Sequence, residues 1–518
     1  MAGHTAGRHH NIVAASVFTT QSVTAILEKI RRQLQAARPA PVDFLLGPGG
    51  TRTAFSLSNV TASTFNKQVG PAPTFSPSAV PINALGLSPG AVGHLAFGKY
   101  RSPDYETAEK FIPPIGTRSG TPTVQGVNEI FFNLFLPASP KPPGGWPVAI
   151  VGHGGSANKN GIPFLVAATL ASQGIATIAI NTVGNGGGPL STLTVTQKVG
   201  GSMTFPAGGR GIDLNGDGFI FEGEGRYAAG VHSIIGQRDG VRQTVVDLMQ
   251  LVRVIAVGVD VDGDGVPDLD PSRIYYSGIS FGGIYGTTFL ALEPRVRAGV
   301  LHVPGGPDIE STRLSPFGRP FLEFIFAFAL VPPLTNVGGP SGLEFDENMP
   351  LRNQPPVINT VPGAIEIQEF FERVEWVQHA GDPIEPASHL RKQPLRRVPA
   401  KAVVIQFAKG DQFIPNPTTT AMLRAGDLAD RTTFYWNDLA FADVNRNPTG
   451  KEVPKNPHAF QLFPFFAPAV ADIGLGAQQQ VAEFFASDGE TVIDPDGLGP
   501  LFEVPIVPPL PEDLNFIP

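Results

Sequence analysis

Strands and helices alternate along most of this chain, which predicts an α/β fold: a mostly parallel central sheet with helices on both faces. Three observations carry that expectation. Apolar runs of strand length recur at Trp146 to Val151, Ile175 to Ile180, Arg273 to Ile279, Val296 to Val303 and Lys401 to Ala408. Helical stretches lie between them, the longest from Gln237 to Val257 with Val241, Val245, Leu248, Leu251, Val252 and Ile255 at helical spacing. One strand also passes directly into a helix through Gly278-Ile279-Ser280-Phe281-Gly282.

The elements follow in order. Val23 to Arg38 reads as an amphipathic helix, with Ile26, Leu27, Ile30 and Leu34 on one face, and is expected to pack on the main body rather than lie on a membrane. Residues 40–120 are rich in Pro, Gly, Ser and Thr, so 1–120 reads as an N-terminal extension of irregular or β structure. Residues 128–136 read as a strand and 140–145 as a turn. The strand from Trp146 ends in Gly152-His153-Gly154-Gly155, and a helix over roughly 160–173 follows. Thr432 to Trp436 closes the series of strands.

Two insertions break the rhythm. One, about 182–235, begins with the run Gly184 to Gly188. The other, 305–398, carries Phe317, Phe321, Phe324, Phe326 and Phe328 and reads as a cap over the sheet domain. That domain is expected to comprise 121–304 and 399–490, with 491–518 as an extended tail.

Composition excludes several functions. The net charge of −8, without a basic block, argues against a nucleic-acid partner. With no cysteine there is no thiol nucleophile, disulfide or thiolate metal site. Gly 60 and Pro 52 are roughly double the usual share and suit long, proline-stiffened connections. Phe321 to Leu334, interrupted by Glu323 and two prolines, falls short of the about twenty residues that a membrane span needs. Met1 to Asn11 is polar and shows no signal peptide.

The chemistry centres on Ser280. Glycines on either side of it allow the cramped strand-to-helix turn that pushes a serine hydroxyl into a cleft. Such a hydroxyl needs a histidine to take its proton, and the histidine needs an acid to orient it. Asp411 follows the strand 401–408, and His458 lies in a loop after the last strand, giving the order Ser…Asp…His. Asp438 and Asp443 are the alternative acids. His302 falls inside a strand, His379 and His389 precede Asp411, and His4, His9 and His10 are terminal, so none of these fits. An oxyanion would be met by the amide of Phe281 and by one from the glycine turn, either Gly154 or Gly155.

Together these motifs resemble the α/β-hydrolase superfamily over roughly residues 125–487. More narrowly, Phe18-Thr19-Thr20-Gln21, Gly145-Trp146-Pro147-Val148 and Arg238-Asp239-Gly240-Val241-Arg242-Gln243 resemble large bacterial extracellular lipases of the virulence-factor type. That resemblance implies a serine carboxylic ester hydrolase outside the cytoplasm, secreted or at the cell surface. The expected substrate is a hydrophobic or lipid-like ester, with no cofactor for the chemistry. A serine peptidase or an acyltransferase would use the same triad.

Two acidic loops have calcium-loop spacing. Asp213, Asn215, Asp217, Phe219 (through its carbonyl) and Glu224 occupy ligand positions of a twelve-residue loop with Gly216 at the sixth. Asp260, Asp262, Asp264, Val266 (through its carbonyl) and Asp268 form a second, without an acid at the twelfth position. A calcium ion there would stiffen loops and take no part in the chemistry. A non-catalytic module stabilised by calcium is the reading from outside the enzymes.

Overall fold

A computed structural model describes residues 22–226, 232–320, 322, 336–337, 344–351 and 354–518. The first half runs α1 (Ala25–Ala36), β1 (Ala54–Ser56), β2 (Val60–Gly70), β3 (Thr74–Ala79), β4 (Val92–Asp104), β5 (Gly126–Pro137), β6 (Trp146–Gly152), α2 (Ile162–Ser172), β7 (Ala176–Ile180), β8 (Thr192–Gln197), β9 (Ser202–Pro206) and α3 (Ser233–Val257). Then come β10 (Leu269–Ile279), α4 (Phe281–Leu292), β11 (Val296–His302), α5 (Asp308–Leu314), α6 (Ala364–Gln378) and α7 (Ile384–Ser388). The chain closes with β12 (Ala402–Ala408), α8 (Asn416–Gly426), β13 (Thr432–Tyr435), α9 (Asn437–Ala442), α10 (Ala471–Ala486) and β14 (Phe502–Glu503).

Ten strands form the central sheet in the order β1-β4-β5-β7-β6-β10-β11-β12-β13-β14. The run from β7 to β13 is parallel throughout. Its flanks are antiparallel, with β5 on β7 at one side and β14 on β13 at the other. This is an α/β-hydrolase fold: a mostly parallel sheet with a crossover at β7-β6 and helices on both faces.

Burial on both faces explains why the strands read as continuous apolar runs. Alternate residues of each strand enter opposite cores. Val148 and Ile150 of β6, Ile274 and Tyr276 of β10, and Val403 and Ile405 of β12 meet α1, α3, α4 and α8. Ala149, Val151, Tyr275 and Val404 instead meet α2 and α10.

The amphipathic helix α1 packs on the body, burying Leu27, Ile30 and Leu34. Its Arg31, also buried, donates from Nη1 to the carbonyl of Leu292 at 2.6 Å. A guanidinium thus caps the last turn of α4, where the helix leaves carbonyls unsatisfied. Among the described residues, no helix is long and apolar enough to cross a membrane.

The structure departs from the expected domain boundary at residue 121. Strands β1 and β4 belong to the central sheet, with β4 paired along β5 from Val92↔Pro137 to Asp104↔Gly126. The sequence of β4 hides this because it contains Gly93 and Gly98. A Cβ at Gly98 would stand 2.5 Å from the Phe132 ring of β5, so the aromatic side chain fills the space that the glycine leaves. Strands β2 and β3 of the N-terminal segment instead join the first insertion: β3-β2-β8-β9 form a separate antiparallel sheet over Phe65, Leu193, Val195 and Phe205.

The second insertion contributes α5 and α6 around a small core of Ile309, Phe345, Ile367, Phe371 and Val374, and α7, whose Ala387 joins the main core. Phe321, Phe324, Phe326 and Phe328 lie outside the described residues, as does Phe18-Thr19-Thr20-Gln21. The segment 491–518 is mostly without regular structure, but β14 ties it to the sheet. Gly410 donates its N–H to Asn515 Oδ1 at 2.9 Å, so the tail also touches the turn after β12.

Ile30 is fully buried between α1 and the body. Its replacement by alanine is expected to destabilise the protein by about 2–4 kcal/mol. Denaturant unfolding checks this. A loss within about 0.5 kcal/mol would mean that the helix is not part of the core.

Candidate active site

Ser280 stands between the last residue of β10 and the first of α4, with φ 56° and ψ −120°. That backbone conformation is strained for any residue bearing a Cβ. Its neighbours enforce it. The Ser280 N–H donates to the carbonyl of His302 at 2.8 Å, and the Ser280 carbonyl accepts from Gly283 N–H at 2.7 Å. The hydroxyl of Tyr276 donates to the carbonyl of Gly282 at 2.6 Å. A Cβ at Gly278 would lie 2.2 Å from the Gly282 carbonyl oxygen, and one at Gly282 2.3 Å from that of Gly152. No larger residue fits either position without shifting backbone.

The acid and the histidine reach the same end of the sheet. Asp411, 1% exposed, follows β12. Its Oδ1 accepts from the N–H groups of Phe413 at 2.9 Å and Ile414 at 2.8 Å, which fixes the carboxylate. His458 Nδ1 lies 2.8 Å from Asp411 Oδ2 and 3.0 Å from Oδ1, and His458 Nε2 lies 2.8 Å from Ser280 Oγ. An ionised carboxylate only accepts, so the ring proton sits on Nδ1 and Nε2 presents its lone pair to the serine hydroxyl.

The alternative acids are engaged elsewhere, Asp438 with Lys409 at 2.7 Å and Asp443 with Arg446 at 3.7 Å. His302 is buried with Nδ1 3.0 Å from Gln406 Oε1, and His389 lies 2.8 Å from Glu385. Asn456, to which the sequence reading gave no role, ties the two loops together. Its Oδ1 accepts from Gln412 N–H at 3.1 Å and from His458 N–H at 3.2 Å.

The glycine turn after β6 lies against the elbow. A Cβ at Gly154 would be 3.8 Å from Ser280 Oγ, and one at Gly155 would be 3.8 Å from Phe281 Cβ. His153 decides how the turn is oriented. Its buried ring accepts the Thr182 N–H at Nε2 (3.2 Å), so its proton is on Nδ1, which donates to the Gly154 carbonyl at 2.9 Å. Burial pushes this imidazole down to about 4, which keeps it neutral. In a trans peptide the next N–H points opposite to the carbonyl. The amide of Gly155 therefore faces away from His153.

Asn185, inside the glycine run of the first insertion, is a further residue that the sequence reading passed over. Its Nδ2 donates to the carbonyls of Gly155 at 2.8 Å and Ala157 at 2.9 Å. The Arg226 guanidinium, 4.3 Å above the Phe281 ring, closes the same wall. Lys159, 1% exposed, follows the turn; burial pulls its amine down to about 7.

A cavity of about 260 Å³ opens beside Ser280 and His458, walled by Gly154, Gly155, Ile162, Ile279, Leu462 and Phe413. A larger depression of about 780 Å³ lies at the opposite ends of β10 to β12, around Arg297 and Asp488. Those two side chains pair with each other at 3.0 Å, and no histidine lines that depression. The smaller cavity is the one lined by Ser280 and His458.

The acidic loops close on themselves. Asp213 accepts from Gly216 and Gly218 N–H, and Asp260 from Gly263 and Gly265 N–H, at 2.7–3.0 Å. Asn215, Asp217, Asp262 and Asp264 each accept from the amide two residues on, which orders Phe219 and Val266. Glu224 folds back onto the amide of Leu214 at 3.0 Å. Oxygens of Asp260, Asp262 and Asp268 lie within 4.8 Å of one another, and Asp268 also pairs with Lys141 at 2.8 Å. Calcium takes six to eight oxygens. The loop amides close these turns by themselves.

No family model matches the chain, and no curated protein matches it. Similar solved structures include an acetyl xylan esterase from Paenibacillus sp. R4, at 15% identity over 79% of this chain and 86% of that one, with a TM-score of 0.41. An acylaminoacyl peptidase from Pyrococcus horikoshii has 12% identity over 71% of this chain and 41% of its own, with a TM-score of 0.38. An esterase from Pyrobaculum calidifontis has 13% identity over 70% and 82%, with a TM-score of 0.30. At these scores none of them assigns an activity.

Burial also pushes His302 down to about 3. In the unfolded chain it titrates near 6.5, so unfolding takes up its proton as pH falls below that value. The stability tied to the neutral ring is fully present above about pH 6.5 and is lost progressively toward pH 3. Glu106, pushed up to about 8 by burial, works in the opposite sense, so a difference between proteins is the clean readout. Relative to His302→Gln, the wild type is expected to lose about 2 kcal/mol between pH 7 and 5. A difference in unfolding free energy that stays constant over that range would contradict a neutral buried ring.

Proposed function

We propose that this protein hydrolyses carboxylic esters through Ser280, His458 and Asp411. The carrying observation is the unbroken chain of contacts from Ser280 Oγ to His458 Nε2 at 2.8 Å and from His458 Nδ1 to Asp411 at 2.8 Å. In this reading His458 takes the hydroxyl proton as Ser280 Oγ attacks the ester carbonyl. The amides of Phe281 and Gly155 meet the developing oxyanion. His458 then gives its proton to the leaving alcohol. Water, deprotonated by the same ring, attacks the acyl-enzyme and releases the acid and free Ser280.

The orientation of the glycine turn supports Gly155 rather than Gly154 as the second donor, because the His153 ring holds the Gly154 carbonyl on its own side. The apolar walls of the cavity favour hydrophobic esters. Its volume, about 260 Å³, is at the small end for ligand sites and favours a short acyl group. A peptidase or an acyltransferase would use the same three groups, and nothing at the site favours either.

Ser280→Ala is expected to lower turnover of short-chain esters at least about a thousandfold while leaving the melting temperature near that of wild type. A graded panel of acyl lengths, read beside peptide anilides, checks both the reaction and its class. A variant that retains turnover within a fewfold removes Ser280 from the mechanism. Anilides cleaved in preference to esters would replace the esterase reading with a peptidase.

A further inference from the structure

One half-exposed aromatic ring, Phe413, stands beside the imidazole, and a second, Phe317, stacks on the first. Phe413, two residues beyond Asp411, is 47% exposed, and its ring centroid lies 5.0 Å from that of His458. Phe317, from the second insertion, is 53% exposed and stacks on Phe413 with centroids 4.5 Å apart and planes 16° from parallel.

The pair is anchored. Ser315, buried at 2% exposure, donates from Oγ to the carbonyl of Gln412 at 2.7 Å. The same oxygen accepts from the N–H groups of Phe317 at 3.2 Å and Gly318 at 2.9 Å. A single hydroxyl therefore pins the turn bearing Phe317 to the turn bearing Phe413. The result is a flat apolar step, continuous with the cavity through Phe413.

The chemistry gives that step a direction. The leaving oxygen must come within reach of His458 Nε2, so its substituent has to pass the imidazole, and Phe413 lies against that ring. Flat aromatic faces recognise other flat aromatic faces by offset stacking, worth more than the area buried. We propose that Phe413 and Phe317 form a subsite for a planar aromatic ring carried on the alcohol half of the ester. This rests on the reading of Ser280 and His458 as the acyl-transfer machinery.

The experiment compares benzyl and cyclohexylmethyl esters of one short acid, which match in size and in alkyl leaving group but differ in planarity. Wild type is expected to prefer the benzyl ester in kcat/KM. Phe317→Leu and Phe413→Leu are each expected to reduce the benzyl to cyclohexylmethyl ratio by about three- to tenfold, and Phe317→Tyr to keep it. Melting curves confirm that each variant is folded, and the ratio is independent of the amount of active enzyme. A ratio that is the same in wild type and both leucine variants overturns the subsite while leaving the esterase reading in place. Undiminished hydrolysis by Ser280→Ala, or no hydrolysis of either ester by wild type, overturns both.

Discussion

The whole site depends on one residue held in a backbone conformation that it would not adopt alone. Ser280 has a positive φ and lacks the freedom of glycine, and strain of this kind costs on the order of 1–3 kcal/mol. The sheet and the first turn of α4 supply what offsets it. The carbonyl of His302 on β11 holds its amide, Tyr276 on β10 holds the carbonyl of Gly282, and the glycines at 278 and 282 let three backbone segments meet. Because β10 lies inside the parallel run, between β6 and β11, the strained residue is flanked by the ends of those two strands. The glycine turn arrives from β6, the acid turn comes from β12 two strands away, and the histidine follows β13.

Burial separates three of the described histidines into two kinds. His153 and His302 are enclosed and neutral, and serve as fixed hydrogen-bonding parts that orient a turn or fill a strand end. His458 reaches the cavity and has a carboxylate behind it. Of these three rings, His458 alone combines an opening to the cavity with a carboxylate partner. The polar side chains around the glycine turn follow the same logic. Asn185 donates to the carbonyls of Gly155 and Ala157 and accepts from the Thr182 hydroxyl, leaving the turn set before any ligand arrives.

How much of this could be read from the sequence follows from the range of each interaction. The parallel strands and α3 are written locally, in apolar runs and helical spacing, and the observed elements fall within a few residues of those expectations. The elbow is local too, because its glycines and Ser280 lie within five positions. The order Ser…Asp…His singles out the three side chains that meet, since each follows a strand on the same end of the sheet. Pairings across distance left no such mark. Nothing in Val60–Gly70 says that it will join Thr192–Gln197, and the glycines of β4 make sense only beside Phe132. Asn185 and Asn456 likewise act on backbone groups far from them in the chain or across a loop, and an asparagine in a glycine- or proline-rich stretch reads first as a turn residue. The neighbouring glycine run was the one visible hint for Asn185.

Both margins of the central sheet end in very short strands, three residues at β1 and two at β14. One outer strand of the smaller sheet, β3, carries Pro77, which has no amide hydrogen to offer. A long free margin would invite another copy to add a strand and so extend the sheet from molecule to molecule. Here such a neighbour would find only a handful of backbone groups to bind. Strand-by-strand polymerisation is blunted at these three margins.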